Sequence, residues 1–524
     1  MSEVRAIVVG SGIGGAVATL LLAHAGIPTL LLEKNRRLGG SCSGYEKQGF
    51  KIDIGTHMFS RGPRGPLGDV LRRVGHDGAI DFRRTHDIAE LRFGGGPHAI
   101  RRVPVPSQLA RMPAFGVRVV RALGLSPIEA ARAVRLFTHI LAMSDEEVRS
   151  WDDRTIEDFC APFTDDAATL SLFGFLLGLY FILPYWEVSA GEALHCFRRM
   201  ARDNWLSYPK GGSRVIPETY CSLARALGAE IRTGVGVRRI LVANGRVRGV
   251  LLADGTELPA SIVVSTSSVR TTVLHLVGAE HFPASYVARA QAIRGSYIAV
   301  QAKIGLRRRL VSAGAIVGGV GESSSPFHAT TADLKATFNS VAAGELPSVI
   351  PFYCPVPTNF DEDLAPPGHQ LLTVCAVAPT SDIALKDPGP AWEEAMLRTM
   401  RRVVPGLDEH ALFVDRFSVK FIERWIGKEF GPAVSTAQTP DQVGDRRPRV
   451  FTPIGGLYLA GCSAGARGVG TELAAASAME CTDRILQDLG RPRRPPLRRP
   501  RPIQATRRWL ERTAARPLAW ATRA

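Results

Sequence analysis

Apolar positions cluster in short, separated runs along this chain. Ala6-Ile7-Val8-Val9 comes first, then a glycine cluster, a ten-residue apolar stretch from Ala16 to Ala25, and Thr29 to Leu32, ending on Glu33. A β-branched run of that length predicts one buried parallel strand, and Ala16 to Ala25 predicts a helix stopped by Gly26. Phe50 to His57 reads as a strand entering a tight glycine loop. From about Leu71 to Arg202 the pattern turns helical, with a short β-like stretch near Ile88 to Val105. A helix is predicted over Val215 to Leu227, and a β-rich block over Ala229 to Ser265 with hairpin signals at Asn244-Gly245 and Asp254-Gly255. Tyr297 to Ile304 and Leu371 to Val377 read as strands and Trp392 to Val404 as a helix. The chain closes with a strand, Leu457 to Ala460, a glycine-rich loop, Gly461 to Gly470, and a helix, Thr471 to Leu489.

The first run carries candidate chemistry. Gly10-Ser11-Gly12-Ile13-Gly14-Gly15 matches G-x-G-x-x-G through Gly10, Gly12 and Gly15, between strand and helix, and Glu33 follows Gly15 by 18 residues. Gly10 permits the tight turn, Gly12 lets the backbone approach a pyrophosphate, and Gly15 lets the helix lie close to the strand. The free N–H groups at the helix start suit phosphates, and a carboxylate at Glu33 suits ribose hydroxyls. A signal peptide or membrane anchor is the competing reading, since Ala6 to Leu32 holds no formal charge. The glycines and Pro28 interrupt the run where a dinucleotide fold requires it.

Composition adds bounds. A chain of 524 residues, 45% hydrophobic and 22% charged, buries a sizeable core in two or more domains. Its eight cysteines (Cys42, Cys160, Cys196, Cys221, Cys354, Cys375, Cys462, Cys481) show no C-x-x-C and no metal-ligand spacing. Reduced thiols in the cytoplasm are the expectation, with no metal site. Of the formal charge of +16, residues 491–524 supply +10 through eleven arginines and Glu511. This tail reads as a disordered Pro/Arg segment, then a basic amphipathic helix, Ala505 to Trp520, suited to the anionic inner face of a membrane. A solvated tail without a partner is the alternative; no nucleic-acid motif accompanies the charge. Ala167 to Trp186, twenty residues without formal charge, is long enough to span a bilayer. A span there would part the first glycine loop from Gly461 to Gly470, so a buried helix, an apolar pocket wall or a monotopic patch is expected.

The order of these features resembles the phytoene desaturases, carotenoid cis-trans isomerases and retinol saturases, within the wider amine-oxidase-like FAD fold. The resemblance rests on Val8 to Gly15, Leu32-Glu33-Lys34, Arg37-Leu38-Gly39-Gly40, Phe50 with Asp53 and Gly55, Tyr208-Pro209-Lys210-Gly211-Gly212, Gly228 to Ile240 and Leu457 to Gly461. It implies an α/β fold: a discontinuous Rossmann-type FAD domain (1–85, 205–275, 450–490) and an inserted α+β substrate domain (86–204, 276–449). It implies FAD held by Gly10 to Gly15, Glu33, Lys34, Arg37 and Gly40, with Val237 against adenine and Gly461, Gly470 and Thr471 toward the flavin. Relatives often follow the second glycine pair with Arg or Lys; Ser41 stands here, so a charge contact to phosphate must come from elsewhere. Many carry Asp after the glycine equivalent to Gly461, where this chain has Cys462. His57 is the candidate residue near the flavin. The implied activity is FAD-dependent redox chemistry on a long apolar polyene or isoprenoid, by desaturation, isomerisation or saturation. A flavin amine oxidase acting on a small soluble amine and a non-enzymatic prenyl carrier of Rab-escort type are the alternatives. Substrate, electron acceptor and oligomeric state stay open.

Overall fold

The computed structural model describes residues 5–55, 58–95, 100–321, 331–379, 389–417 and 419–492. His57 and nearly all of the 491–524 tail, including the predicted helix Ala505 to Trp520, lie outside them.

Five strands form one parallel sheet in the order Leu457–Leu459, Ile262–Ser265, Ala6–Val9, Thr29–Glu33 and Glu230–Thr233. Val8 pairs with Leu31 on one side and Val264 on the other, and Leu31 pairs with Ile231. The strands at Ala6–Val9, Thr29–Glu33 and Ile262–Ser265 are buried on both faces, which is why they read as continuous apolar runs instead of alternating ones. The helix Ile13–His24 packs against the final helix, Gly470–Asp488, and against Val215–Ala226. All but one of its residues are buried. The chain leaves Ala6–Val9 between its two sheet neighbours, so Gly10 opens at the point where the strand order reverses, the usual crevice of such folds. The hairpin Val237–Ala243/Arg246–Leu252 turns on Asn244 and Gly245, both at positive φ, as its Asn-Gly signal requires.

A second, seven-stranded sheet is mostly antiparallel. Its order is Ala411–Phe417, Ile298–Leu306, Gln370–Ala378, Phe352–Pro355, Ala315–Gly321, Asp87–Gly95 and Arg101–Pro106. The helix Gly389–Val403 covers one face and buries Trp392, Met396 and Met400 against Val300 and Val374. The short β-like stretch expected near Ile88 to Val105 is a full hairpin, and Asp87–Gly95 joins this sheet by parallel pairing with Ala315–Gly321. The helices Met112–Leu123, Pro127–Ala142, Ala167–Phe181 and Ala190–Asp203 complete this half.

The twenty-residue apolar stretch is a helix only over Ala167–Phe181, started by the Asp166 side chain, which accepts the Thr169 N–H at 2.7 Å. It ends at Ile182, whose φ is +54°. Phe173, Leu177 and Phe181 are buried in a cluster with Leu136, Ile140 and Leu194. Among the described residues, no helix is long and apolar enough to cross a membrane. The stretch read as a strand entering a glycine loop forms the strand Phe50–Asp53 and turns at Ile54-Gly55; His57 lies outside the described residues.

Candidate active site

The first glycine turn holds three glycines for three spatial reasons. Gly10 has a φ of +95°, closed to most L side chains. A Cβ on Gly15 would lie 1.9 Å from the Gly10 carbonyl oxygen, so this helix turn touches the strand backbone directly. A Cβ on Gly12 would meet nothing within 4 Å, because Gly12 faces an open cavity. Ser11 joins this turn to two others. Its N–H and hydroxyl donate to Glu33 Oε2 at 2.9 and 2.7 Å, and the hydroxyl accepts the Gly39 N–H at 3.0 Å. Glu33 Oε1 takes the Asn35 N–H at 2.8 Å. The carboxylate is thus held rigidly at the cavity wall, with lone pairs left for a ligand's hydroxyls.

The second glycine turn closes over the first: a Cβ on Gly40 would sit 3.3 Å from Gly12 Cα. Gly40, Ser41 and Cys42 line the cavity; Arg37 does not, and donates to the Gly44 carbonyl. Lys34 lines the cavity beside Glu33, but its amine donates to the Arg424 carbonyl at 2.7 Å. From the far end of the chain comes a third loop. A Cβ on Gly14 would be 3.1 Å from Gly461 Cα, so this loop is packed on the start of the first helix. The Gly461 N–H donates to Ser477 Oγ at 3.1 Å, and Cys462 Sγ reaches the Gly470 carbonyl at 3.3 Å. Gly461, Gly470, Thr471 and Val237 all line the same cavity, as do Gly10, Ser11, Gly12, Ile13 and Gly14. Gly15 is spent on packing. Burial and the nearby Asp53 and Cys462 push the Cys42 thiol far above its usual pKa, which keeps it a neutral packing group.

Side chains of two stretches that carry the resemblance, joined by others with no motif of their own, fix these loops. Asp53 accepts the Tyr208 hydroxyl and the Ser213 N–H, the latter at 2.9 Å. This locks the strand Phe50–Asp53 to the Pro-Lys-Gly-Gly turn. Glu472, in the first turn of the final helix, accepts Ser60 Oγ at 2.8 Å and lies 3.5 Å from Arg61. Arg61 also pairs with Asp203 at 2.7 Å. Burial raises the Glu472 pKa, opposed by the Arg61 charge. Glu192, fully buried, braces the third loop through Arg447 and Arg467. Ser60 further contacts the Tyr180 hydroxyl at 3.2 Å, bringing the apolar helix Ala167–Phe181 against the cavity. Lone acids and arginines, hundreds of residues apart, offer no spacing by which sequence could find these ties.

The cavity has a volume of about 2140 Å³, twice the top of the usual ligand-pocket range of about 300–1,000 Å³. One arm runs along the three glycine loops and Glu33. The other is walled by apolar side chains, among them Phe115, Val119, Phe137, Phe173, Leu176 and Leu179. A flavin containing amine oxidoreductase family model matches residues 13–486. The chain belongs to that family. FAD is its cofactor, and the geometry fits: Gly12 opens where a diphosphate must approach, and the final helix presents its N-terminus. A zeta-carotene-forming phytoene desaturase from Myxococcus xanthus is 25% identical, over 92% of this chain and 94% of that one. A prolycopene isomerase from Daucus carota is 24% identical, over 94% and 82%. An oxidoreductase structure from Methanosarcina mazei superposes with a TM-score of 0.70 at 19% identity, over 91% and 99%. This member of the flavin containing amine oxidoreductase family is an FAD-dependent oxidoreductase.

Proposed function

We propose that this enzyme acts on a long, apolar polyene or isoprenoid. The observation that carries the reading is the mainly apolar second part of the cavity, walled by side chains such as Phe115, Phe137, Phe173 and Leu179 and continuous with the glycine loops. FAD, when bound, supplies the hydride and electron chemistry. The chain's own residues position and desolvate. Glu33 and the glycine turns hold the cofactor, while Phe115, Phe137 and Phe173 exclude water and grip a hydrocarbon by apolar contact. An extended chain gains about 0.8 kcal/mol per buried CH₂, enough for binding without any charged anchor. Desaturation, isomerisation and saturation would share this placement.

The mouth of that arm supports delivery from a lipid surface. The helices Met112–Leu123 and Pro127–Ala142 line it and also expose Val117 (51%), Val134 (64%) and Ile128 (67%). Arg118, Arg121, Arg132 and Arg135 stand on the same two helices against a lone acid, Glu129. Apolar and basic side chains together suit an anionic membrane.

Anaerobic titration of the purified holoenzyme with carotenoids, other isoprenoids, retinoids and amines tests the substrate class. A polyene or isoprenoid should change the flavin absorbance and amines should not. Bleaching by amines alone would overturn the reading and favour the amine-oxidase alternative.

A further inference from the structure

The cavity contains a cation without an anion. Lys428 lines it, and its amine makes a single long hydrogen bond, 3.3 Å, to the Ala433 carbonyl. Among the described residues no carboxylate pairs with it. The other basic groups on this wall are accounted for: Arg198 and Arg199 pair with Asp145, Arg202 with Asp203, and Lys34 stands beside Glu33. Burial pulls the Lys428 pKa below the ordinary lysine range, and the titratable groups that lie nearest it among the described residues are the thiols of Cys462 and Cys42, which are neutral partners. A partly buried ammonium without a counter-charge on the cavity wall is costly, which suits an anion that arrives with a ligand.

The position of Lys428 says which part of the ligand. Its segment, from Arg424 to Lys428, packs beside Lys34, Asn35 and Ser43 and lines the cavity. The Arg424 carbonyl accepts Lys34 Nζ at 2.7 Å and the Trp425 carbonyl accepts Asn35 Nδ2 at 3.0 Å, both beside the ribose-binding Glu33. Trp425 Nε1 donates to Ser43 Oγ at 2.9 Å, in the second glycine turn. Lys428 then reaches the neighbourhood of Cys42 and Cys462, where the second and third glycine loops meet. A dinucleotide with its ribose at Glu33 and its ribityl chain at Gly461-Cys462 crosses between them with its diphosphate, beside Gly12 and Gly40.

We infer that Lys428 is the phosphate-binding cation of this enzyme, supplied by a distant loop in place of the basic residue that Ser41 leaves out. The chemistry is a point-charge contact from an ammonium to a diphosphate. It rests on FAD being the cofactor and is independent of the substrate.

The test compares Lys428→Met and Lys428→Arg with the parent protein, each stripped to apoprotein and checked for equal thermal unfolding. FAD affinity is read by quenching of flavin fluorescence. Lys428→Met should raise the FAD Kd by roughly 10- to 100-fold, with a shallower dependence on salt, and Lys428→Arg should stay within about threefold. ADP-ribose, which keeps the diphosphate but lacks the flavin, should lose affinity by the same factor when it competes with FAD. An unchanged FAD Kd in Lys428→Met would overturn the inference. So would an unchanged ADP-ribose affinity with a shifted flavin midpoint potential, which would place the ammonium on the ring.

Discussion

Ser11 gives Glu33 two hydrogen bonds, from its N–H at 2.9 Å and its hydroxyl at 2.7 Å, while the same hydroxyl accepts from Gly39 at 3.0 Å. One small side chain thereby ties the first glycine turn, the Glu33 carboxylate and the second glycine turn together. If Glu33 holds the ribose hydroxyls of FAD as proposed, Glu33→Gln keeps the shape but removes the charge that would strengthen those bonds. FAD binding should weaken by about 1–3 kcal/mol, roughly 5- to 150-fold in Kd. Titration of apoprotein with FAD measures this; an unchanged Kd would place the ribose elsewhere.

Gly12 and Gly15 should fail differently. A side chain at Gly12 enters open cavity space, whereas one at Gly15 collides with the Gly10 carbonyl at 1.9 Å. Gly12→Val should therefore give folded protein that purifies without flavin. Gly15→Val should lose folded yield itself, since strand and helix can no longer meet. Flavin absorbance per folded protein separates the two outcomes.

Arg61 neutralises two buried carboxylates, Asp203 at 2.7 Å and Glu472 at 3.5 Å. Arg61→Met would leave Glu472 without its cation and Asp203 with only the longer 3.4 Å pair to Arg202, at a cost of about 3–5 kcal/mol. Thermal unfolding should show a clear drop. The double variant Arg61→Met/Glu472→Gln should recover part of it, because one of the stranded charges is gone.

Lys303 is fully buried, donating to the Gly55 carbonyl at 3.1 Å and Gln301 Oε1 at 3.0 Å. Burial pushes its pKa down to about 8, partly opposed by Asp53. An unfolded lysine titrates near about 10.4. Between these values the unfolded chain binds more protons than the native one, so this group makes the fold more stable as pH rises through the window. The full window is worth about 3 kcal/mol. Lys303→Met lacks the effect. The difference in unfolding temperature should thus move in favour of the parent protein between about pH 7.5 and pH 10; a constant difference would refute deprotonation of Lys303 in the native state.

Two surfaces are candidates for membrane contact: the exposed face around Val134 and Phe137, and the arginine-rich tail. Each arginine near an anionic surface contributes about 1 kcal/mol, fading beyond a Debye length of roughly 8 Å at physiological salt. Val134→Asp/Phe137→Asp should reduce sedimentation with anionic vesicles, and deletion of residues 491–524 should reduce it further, while FAD content stays constant. Equal sedimentation of all forms would reject both surfaces. Loss with tail deletion alone would assign docking to the tail. A dimer that dissociates in the aspartate variant would reassign the helix face to a second copy of the chain.

What the sequence determined by itself is local. Ala6 to Val9, the glycine turn and Ile13–His24 follow each other within a few residues, and each reports its own strand, turn or helix through apolar run length and glycine spacing. The Asn244-Gly245 hairpin is legible for the same reason, since a two-residue turn is a property of those two residues. The cofactor class was readable because this fold places its phosphate turn and ribose acid within one strand-helix-strand unit. Tertiary structure decided everything that needed distant partners. The carboxylate of Asp53 finds its partners, Tyr208 and the Ser213 N–H, about 155 to 160 residues further along the chain. The hairpin near Ile88 became the edge of the seven-stranded sheet by pairing with Ala315–Gly321. Lys428 acquires meaning only where it meets Cys42 and Cys462, hundreds of residues upstream and tens downstream. A buried charge is specified by the groups that surround it, and these come together only when the chain closes on itself.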